Sequence, residues 1–278
     1  MSDPETSRQE HGNGPQQLPP EIDITVPSVA RGYDYGLGGK NNFEVDRAGV
    51  NALVQAFPGA LELGFANRRF LQRGVRYLVA EAGIRQILDI GSGLPTVGNV
   101  HEIAHEIDPA TRVVYVDHDP IVLAHGRALL ADNQTTTVIQ ADAVEPETIF
   151  EHPETKRFID FDKPFAVLLA GLLHHLSDEQ DPQGITDYVR SRLTPGSYLL
   201  VTNFLNDDDP RAAEVQAIIN NGFGTGFFRT WEQQRAYFDG LELVEPGLTY
   251  ANDWRPDGHT SRDSPWHTFN CGGIGRKP

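Results

Sequence analysis

Among 278 residues there is one cysteine, Cys271, and that scarcity excludes an internal disulfide framework and any structural zinc site built on a cysteine cluster. It also favours a reducing, cytoplasmic compartment. Basic charge is scarce too: 23 Lys and Arg against 39 Asp and Glu give a formal net charge of −16. Sequence-independent binding to nucleic acid or to an anionic membrane selects for clustered Lys and Arg. Small-molecule or protein partners are expected instead, and a homo-oligomer is left open. No apolar run approaches the ~20 residues that crossing a bilayer needs, and no basic stretch followed by an apolar h-region marks the N-terminus. What is present, 39% hydrophobic and 22% charged residues, suffices for a sizeable core in one or two domains.

Residues 1–20 are polar, rich in Pro, Gly and Gln and without periodicity, so they are expected to form a disordered tail. The following "PSVARGYDYGLGGKNN" (27–42) is too rich in glycine to suggest a regular element. It reads either as a binding loop that closes as a lid or as a strap packed on the core. Helical patterns cover 43–57 and 61–82, the second with Phe70, Leu71, Val75, Leu78 and Val79 on one face. Short apolar runs then alternate with amphipathic stretches. Strands are expected at 86–90, 112–117, 137–141, 165–170 and 197–203, with helices at 99–108, 119–131, 144–151 and 183–193. Such alternation means βαβ crossovers and an α/β, doubly wound parallel sheet covered on both faces. Helices at 211–221 and 230–238 and late strands at 241–245 and 266–274 would add an antiparallel edge. The expected division is a tail (1–20), a lid segment with helices (21–82) and a ligand-binding core (83–278).

Two signatures overlap in "QILDIGSGLPTVGNVHEIAH" (86–105). The first is a strand that ends at Asp89 and turns through Gly91 and Gly93, at the carboxyl end of the sheet where ligands of such folds bind. A dinucleotide fingerprint would place its third glycine at Thr96. That glycine lets the helix pack beneath a pyrophosphate, so its absence weighs against NAD and not against a cofactor that lacks phosphate. The second strand ends in Asp117, 26 residues beyond Gly91, near the ~20-residue separation at which an acid meets ribose hydroxyls. The third ends at Asp142, whose carboxylate could accept from an adenine amino group; a helix cap is the competing role.

The second signature is His101-Glu102-Ile103-Ala104-His105, an H-E-x-x-H zinc motif. A catalytic zinc needs a third protein ligand and an open position, and the downstream "EIDPATRVV" offers no histidine. Asn99 with Glu102 three residues on is instead a near capping box that starts a helix, and no metal is expected. Likewise "GLGGKNN" lacks the P-loop's first glycine, where Asp34 stands, and its Ser or Thr after Lys40, where Asn41 stands.

From about Pro27 to Pro278 the chain resembles a family of bacterial, largely actinobacterial, S-adenosyl methyltransferases formerly of unknown function. The resemblance is carried by "ARGYDYGLGGKNNF", "NRRFLQRGVRYL", "GIRQILDIGSGLPTVGNVHEIA", "RVVYVDHDPIVLAHGRALL", "GSYLLVTN" and the terminal "GRKP". It implies a Rossmann-like class I methyltransferase sheet of seven strands, mostly parallel with the last antiparallel, preceded by a helical extension. The implied cofactor is S-adenosyl-L-methionine, with S-adenosyl-L-homocysteine as product. Asp89, Gly91, Ser92 and Gly93 would lie under its methionine part, and Asp117 would hold the ribose. His118, Asp119, Asp142 and Ala143 would flank the adenine, with Gly171 ending strand four. Arg31, Tyr33, Gly38, Lys40 and Asn67 would close the site, with Arg68 beside them; Arg31 or Lys40 could hold a carboxylate. His174 and His175, after strand four, are candidate bases for the methyl acceptor, or else histidines packed at the strand–helix junction. A small-molecule acceptor is expected, and a regulatory protein that binds the cofactor without transferring the methyl group is the alternative.

Overall fold

A computed structural model of the chain describes residues 23–95, 98–130, 133–260 and 262–278. The expected tail and Thr96 lie outside the described residues. Three helices come first, α1 (Val29–Gly36), α2 (Glu44–Ala56) and α3 (Leu61–Arg76), the last continued by a π-helical turn, Tyr77–Glu81. The alternating core follows as β1 (Gln86–Ile90), α4 (Val100–Ile107), β2 (Arg112–Asp117), α5 (Pro120–Leu129), β3 (Thr136–Gln140), α6 (Pro146–Glu151), α7 (Pro153–Phe158), β4 (Ala166–Ala170), α8 (Pro182–Arg192) and β5 (Tyr198–Phe204). The remainder is α9 (Ala212–Phe223), α10 (Trp231–Ala236), β6 (Glu242–Leu243), β7 (Thr249–Tyr250) and β8 (Asn270–Arg276). No helix among the described residues is long and apolar enough to cross a membrane.

Seven strands lie on one path in the order β3-β2-β1-β4-β5-β8-β6, and β7 adds an eighth by pairing with β8. The five strands β1 to β5 pair in parallel, and β8 returns antiparallel along β5 from Tyr198↔Arg276 to Phe204↔Asn270. Alternate residues of each central strand enter two separate cores. Leu88, Val114, Val167 and Leu199 face Phe150, Phe158 and Val189 of α6 to α8. Ile87, Val113, Leu168 and Leu200 face Phe70, Val75 and Ile103 of α3 and α4. Burial on both faces makes each strand a nearly continuous apolar run, which is why their positions were readable.

The segment 27–42 differs from the expected irregular loop, because half of it is helix α1. Its glycines serve packing as well as turning. A Cβ on Gly32 of α1 would stand 2.5 Å from Cζ of Phe223 on α9, and one on Gly49 of α2 would stand 2.9 Å from the same ring. Side chains at these positions would push the helices apart. Gly38, at φ 84°, ends α1 with its N–H on Tyr35 O at 2.9 Å, and Gly39 N–H reaches Asp34 O at 2.8 Å, a left-handed C-terminal cap. The late strand expected at 241–245 shrinks to two residues, and that at 266–274 begins only at Asn270. Neither α7 nor β7 was expected from the sequence.

Gly32→Ala should destabilise the fold by about 1–3 kcal/mol through overpacking against Phe223. Urea unfolding of the single variants and the Gly32→Ala/Phe223→Leu double variant checks this. Additive losses would show that the ring and the glycine do not meet.

Candidate functional site

The carboxyl ends of β1 and β2 are tied together by one turn. Leaving β1, the chain takes positive φ at Gly91 (72°) and Gly93 (66°), a region that costs L-residues strain. Gly91 and Ser92 both donate their N–H to Val116 O, at 2.8 and 3.1 Å. Asp117 receives the next bonds: Gly93 N–H donates to its Oδ2 at 2.8 Å and Asp119 N–H to its Oδ1 at 3.0 Å. A Cβ on Gly91 would meet Leu172 at 2.7 Å, whereas one on Gly93 would find nothing within 4 Å among the described residues. Gly93 therefore leaves open space beside a fixed backbone, a cradle suited to a ligand that comes close to the main chain.

The acids of this cradle are buried. Asp117 is 7% exposed and Asp89 4%. Burial raises the pKa of Asp117 from its ordinary value, against the lowering effect of its two N–H donors and of His118. Burial pushes that of Asp89 up to about 7, although Arg68 pulls it down and Asp117 adds to the rise. Arg68, on α3, also donates to Asn99 Oδ1 at 3.3 Å. It is the cation that the structure brings to Asp89, a place the sequence alone could not single out from Arg31 and Lys40.

Asn67, on α3, joins α1 to the sheet. Its Nδ2 donates to the Tyr33 hydroxyl at 3.0 Å, and its Oδ1 accepts from the Thr202 hydroxyl at the end of β5. The Tyr33 hydroxyl donates in turn to Gly64 O at 3.1 Å, and a Cβ on Gly171 would stand 3.0 Å from Asn67 Nδ2. Tyr33, Asn67, Gly171 and Thr202 thus meet over β4 and β5. Thr202 was missed, although a polar residue ending an apolar strand is the signal that singled out Asp89 and Asp117. On the far side of the site, His118 and Asp142 are exposed and Ala143 half-buried; Asp142 Oδ1 accepts Val144 N–H at 3.1 Å, so it also serves its own turn.

Other candidates have structural partners. Arg31 is buried and paired with Asp46 at 3.1 Å, while Lys40 is exposed. The "GLGGKNN" loop wraps Asp34, whose Oδ2 accepts from Asn41 N–H and Asn42 Nδ2, both at 2.9 Å. Asp119 caps α5 through Ile121 N–H at 2.9 Å, and its other oxygen accepts from Ser28 Oγ at 2.6 Å. That bond anchors the start of α1, where Ala30 and Phe43 pack against Leu94, Ile121 and Val122. In the zinc-like motif, the Tyr115 oxygen accepts His101 N–H at 2.8 Å and lies 2.8 Å from its Nδ1. His105 Nε2 lies 2.9 Å from Thr111 O. Glu102 Oε2 accepts the N–H groups of Gly98 and Asn99, at 2.9 and 2.8 Å, so the motif's acid closes a helix cap. Beyond β4, His174 and His175 both have pKa values depressed by burial, His175 to about 4.

A family model for S-adenosyl methyltransferases matches residues 15–278. The chain belongs to that family. A candidate methyltransferase of Thermobifida fusca YX is 46% identical, with 93% of this chain and 98% of that one covered and a TM-score of 0.89. A protein of a domain family of unknown function from Streptomyces avermitilis is 36% identical, with 92% and 99% covered and a TM-score of 0.88. A search of the curated proteins found no match. The protein is an S-adenosylmethionine-dependent methyltransferase on a class I methyltransferase fold. The residues present fit the cofactor: the Gly93 cradle has room beside the main chain, and buried carboxylates suit a ligand with ammonium and sulfonium charges but no phosphate.

Asp89 links stability to pH. Its carboxyl ionises near pH 7 in the folded chain and near its ordinary value of 3.8 when unfolded. Between those values the folded state holds the extra proton, so the stability contributed is present at low pH and is lost as pH rises through about 7. In urea unfolding of the cofactor-free protein, Asp89→Asn should lose less stability than wild type between about pH 5 and about pH 8. Equal losses would place the ionisation elsewhere.

Proposed function

We propose that the enzyme methylates a small-molecule acceptor by in-line displacement, with the donor held along the carboxyl ends of β1, β2 and β3. The observation that carries this reading is the Asp117 carboxylate, fixed by Gly93 N–H at 2.8 Å beside the open cradle. When bound, S-adenosylmethionine supplies a methyl group made electrophilic by its sulfonium. The protein's own work is chiefly alignment, and holding two reactants in register can contribute ~7–11 kcal/mol.

In this reading Asp117 accepts from the ribose hydroxyls, since each of its oxygens has a lone pair beyond the one used by a backbone N–H. Gly91, Ser92 and Gly93 lie under the methionine part, Asp89 offsets its positive charge, and Arg68 takes its carboxylate in the role first considered for Arg31 and Lys40. His118, Asp142 and Ala143 border the adenine. Residues 21–82 act as the lid segment, supported by the Ser28–Asp119 and Asn67–Thr202 bonds to the core, and 83–278 form the methyltransferase core. His174 and His175 stand on the acceptor side, where β4 and β5 end. The net charge of −16 favours a small acceptor over nucleic acid. Cytoplasmic work suits the single cysteine, a buried thiol whose pKa burial pushes up to about 12.

Calorimetric titration with S-adenosylhomocysteine tests the donor site. Asp117→Ala should weaken binding by about 1.5–3 kcal/mol, as expected for loss of a hydrogen bond to a charged group. Unchanged affinity would remove Asp117 from the site, and binding of NAD in place of S-adenosylhomocysteine would overturn the reading. Turnover across a metabolite library identifies the acceptor.

A further inference from the structure

Two consecutive histidines follow β4 in the turn Leu173–His175, and their surroundings differ. His174 is 4% exposed. Its N–H donates to Asn203 Oδ1 at 3.2 Å, its carbonyl accepts Phe227 N–H at 2.7 Å, and its Nδ1 lies 3.3 Å from both Phe204 N and Asn203 Oδ1. The ring rests on Phe204 with centroids 4.1 Å apart. His174 is held through its backbone, its Nδ1 and its ring face, and it is almost wholly buried, which suits an anchor.

His175 is only half-buried. Its Nδ1 lies 2.7 Å from Thr225 Oγ1, and its Nε2 makes no hydrogen bond among the described residues. Thr225 stands between Gly224 (φ 71°) and Gly226 (φ 137°) in the turn that ends α9. Asn220 grips both sides of that turn: its carbonyl accepts Gly224 N–H at 2.8 Å and its Nδ2 donates to Gly226 O at 2.7 Å. From the other direction, the buried Arg229 guanidinium donates to Leu173 O and Leu176 O, at 2.9 and 2.8 Å. Histidine and threonine are therefore each clamped by an independent set of bonds, and they face each other at hydrogen-bond distance.

A neutral imidazole has one donor and one acceptor nitrogen, and the bond made by one decides what the other can do. We propose that Thr225 is a positioning residue which accepts the Nδ1 proton of His175 and so leaves Nε2 of His175 to take the proton of the methyl acceptor. This rests on the methyl-transfer reading above. As the acceptor's X–H bond breaks, the proton goes to Nε2 and the bonding pair goes into the new X–C bond. The former S–C pair stays on sulfur as a neutral thioether, and the imidazolium returns its proton to water. Burial keeps His175 neutral beforehand, so the Nε2 lone pair is there to accept the proton. Thr225 suits the role because its hydroxyl has two lone pairs and its own proton can be given to solvent.

The test uses full-length, 15N-labelled protein saturated with S-adenosylhomocysteine, with long-range proton–nitrogen correlation of the His175 ring. The expected pattern is a protonated Nδ1 and an unprotonated Nε2, kept in Thr225→Ser and shifted toward the Nε2–H form in Thr225→Val. An Nε2–H ring in wild type, or the same tautomer in Thr225→Val, overturns the proposal. Diethyl pyrocarbonate acylates unprotonated imidazole nitrogen, so peptide mapping should show His175 modified and His174 spared. The His175 rate should fall several-fold in Thr225→Val and recover in Thr225→Ser, and faster reaction at His174 would overturn the assignment. Calorimetry with S-adenosylhomocysteine separates the two failures. Loss of binding in wild type sinks the methyl-transfer reading, whereas equal binding in all three proteins, with the tautomer unmoved by Thr225→Val, sinks only the role of Thr225.

Discussion

A carboxylate that accepts backbone N–H groups from two separate segments cannot be moved without moving both. Asp117 does this with Gly93, from the turn after β1, and Asp119, at the start of α5. The bond to Gly93 sets the height of the turn over the sheet. The bond to Asp119 orients the residue that in turn caps α5 and accepts the Ser28 hydroxyl. One buried acid thereby fixes the turn after β1, the start of α5 and the anchorage of α1. Charge-assisted hydrogen bonds of this kind are stronger than neutral ones, and they offset the cost of burying the group.

The first three helices are attached by polar bonds and by close packing. Ser28 ties down the start of α1, Asn67 of α3 accepts from the Thr202 hydroxyl, and Gly32 with Gly49 lets α1 and α2 lie against Phe223. Because α9 also ends in the turn that holds Thr225, the first two helices and the residue bonded to His175 share one packed surface. In the proposed assignment, donor and acceptor sides of the enzyme are mechanically continuous.

Much of this was legible in the sequence, for reasons that also mark where legibility ends. Strands buried on both faces announce themselves as apolar runs, and the acids that interrupt them at one end, Asp89 and Asp117, stand out against that background. Glycine is ambiguous. In Gly91 and Gly93 it marks a turn with positive φ, but in Gly32 it marks the approach of a ring 191 residues away in sequence, which no local pattern encodes. Charged residues are ambiguous in the same way. Arg31, Lys40 and Arg68 read alike in the sequence, and only the fold pairs the first with Asp46, leaves the second exposed and sets the third beside Asp89. Asp119 and Asp34 show the converse, acids in a motif whose carboxylates are taken up by main-chain donors.

The three strand-end acids sit at different depths: Asp142 is exposed, while Asp117 and Asp89 are almost wholly buried. Mobile ions screen charges in water over about 8 Å at physiological ionic strength, and they reach buried groups far less. Salt therefore divides the site along its length. The field at the β3 end weakens as ionic strength rises, whereas the field at the β1 end belongs to the protein and is set by its packing.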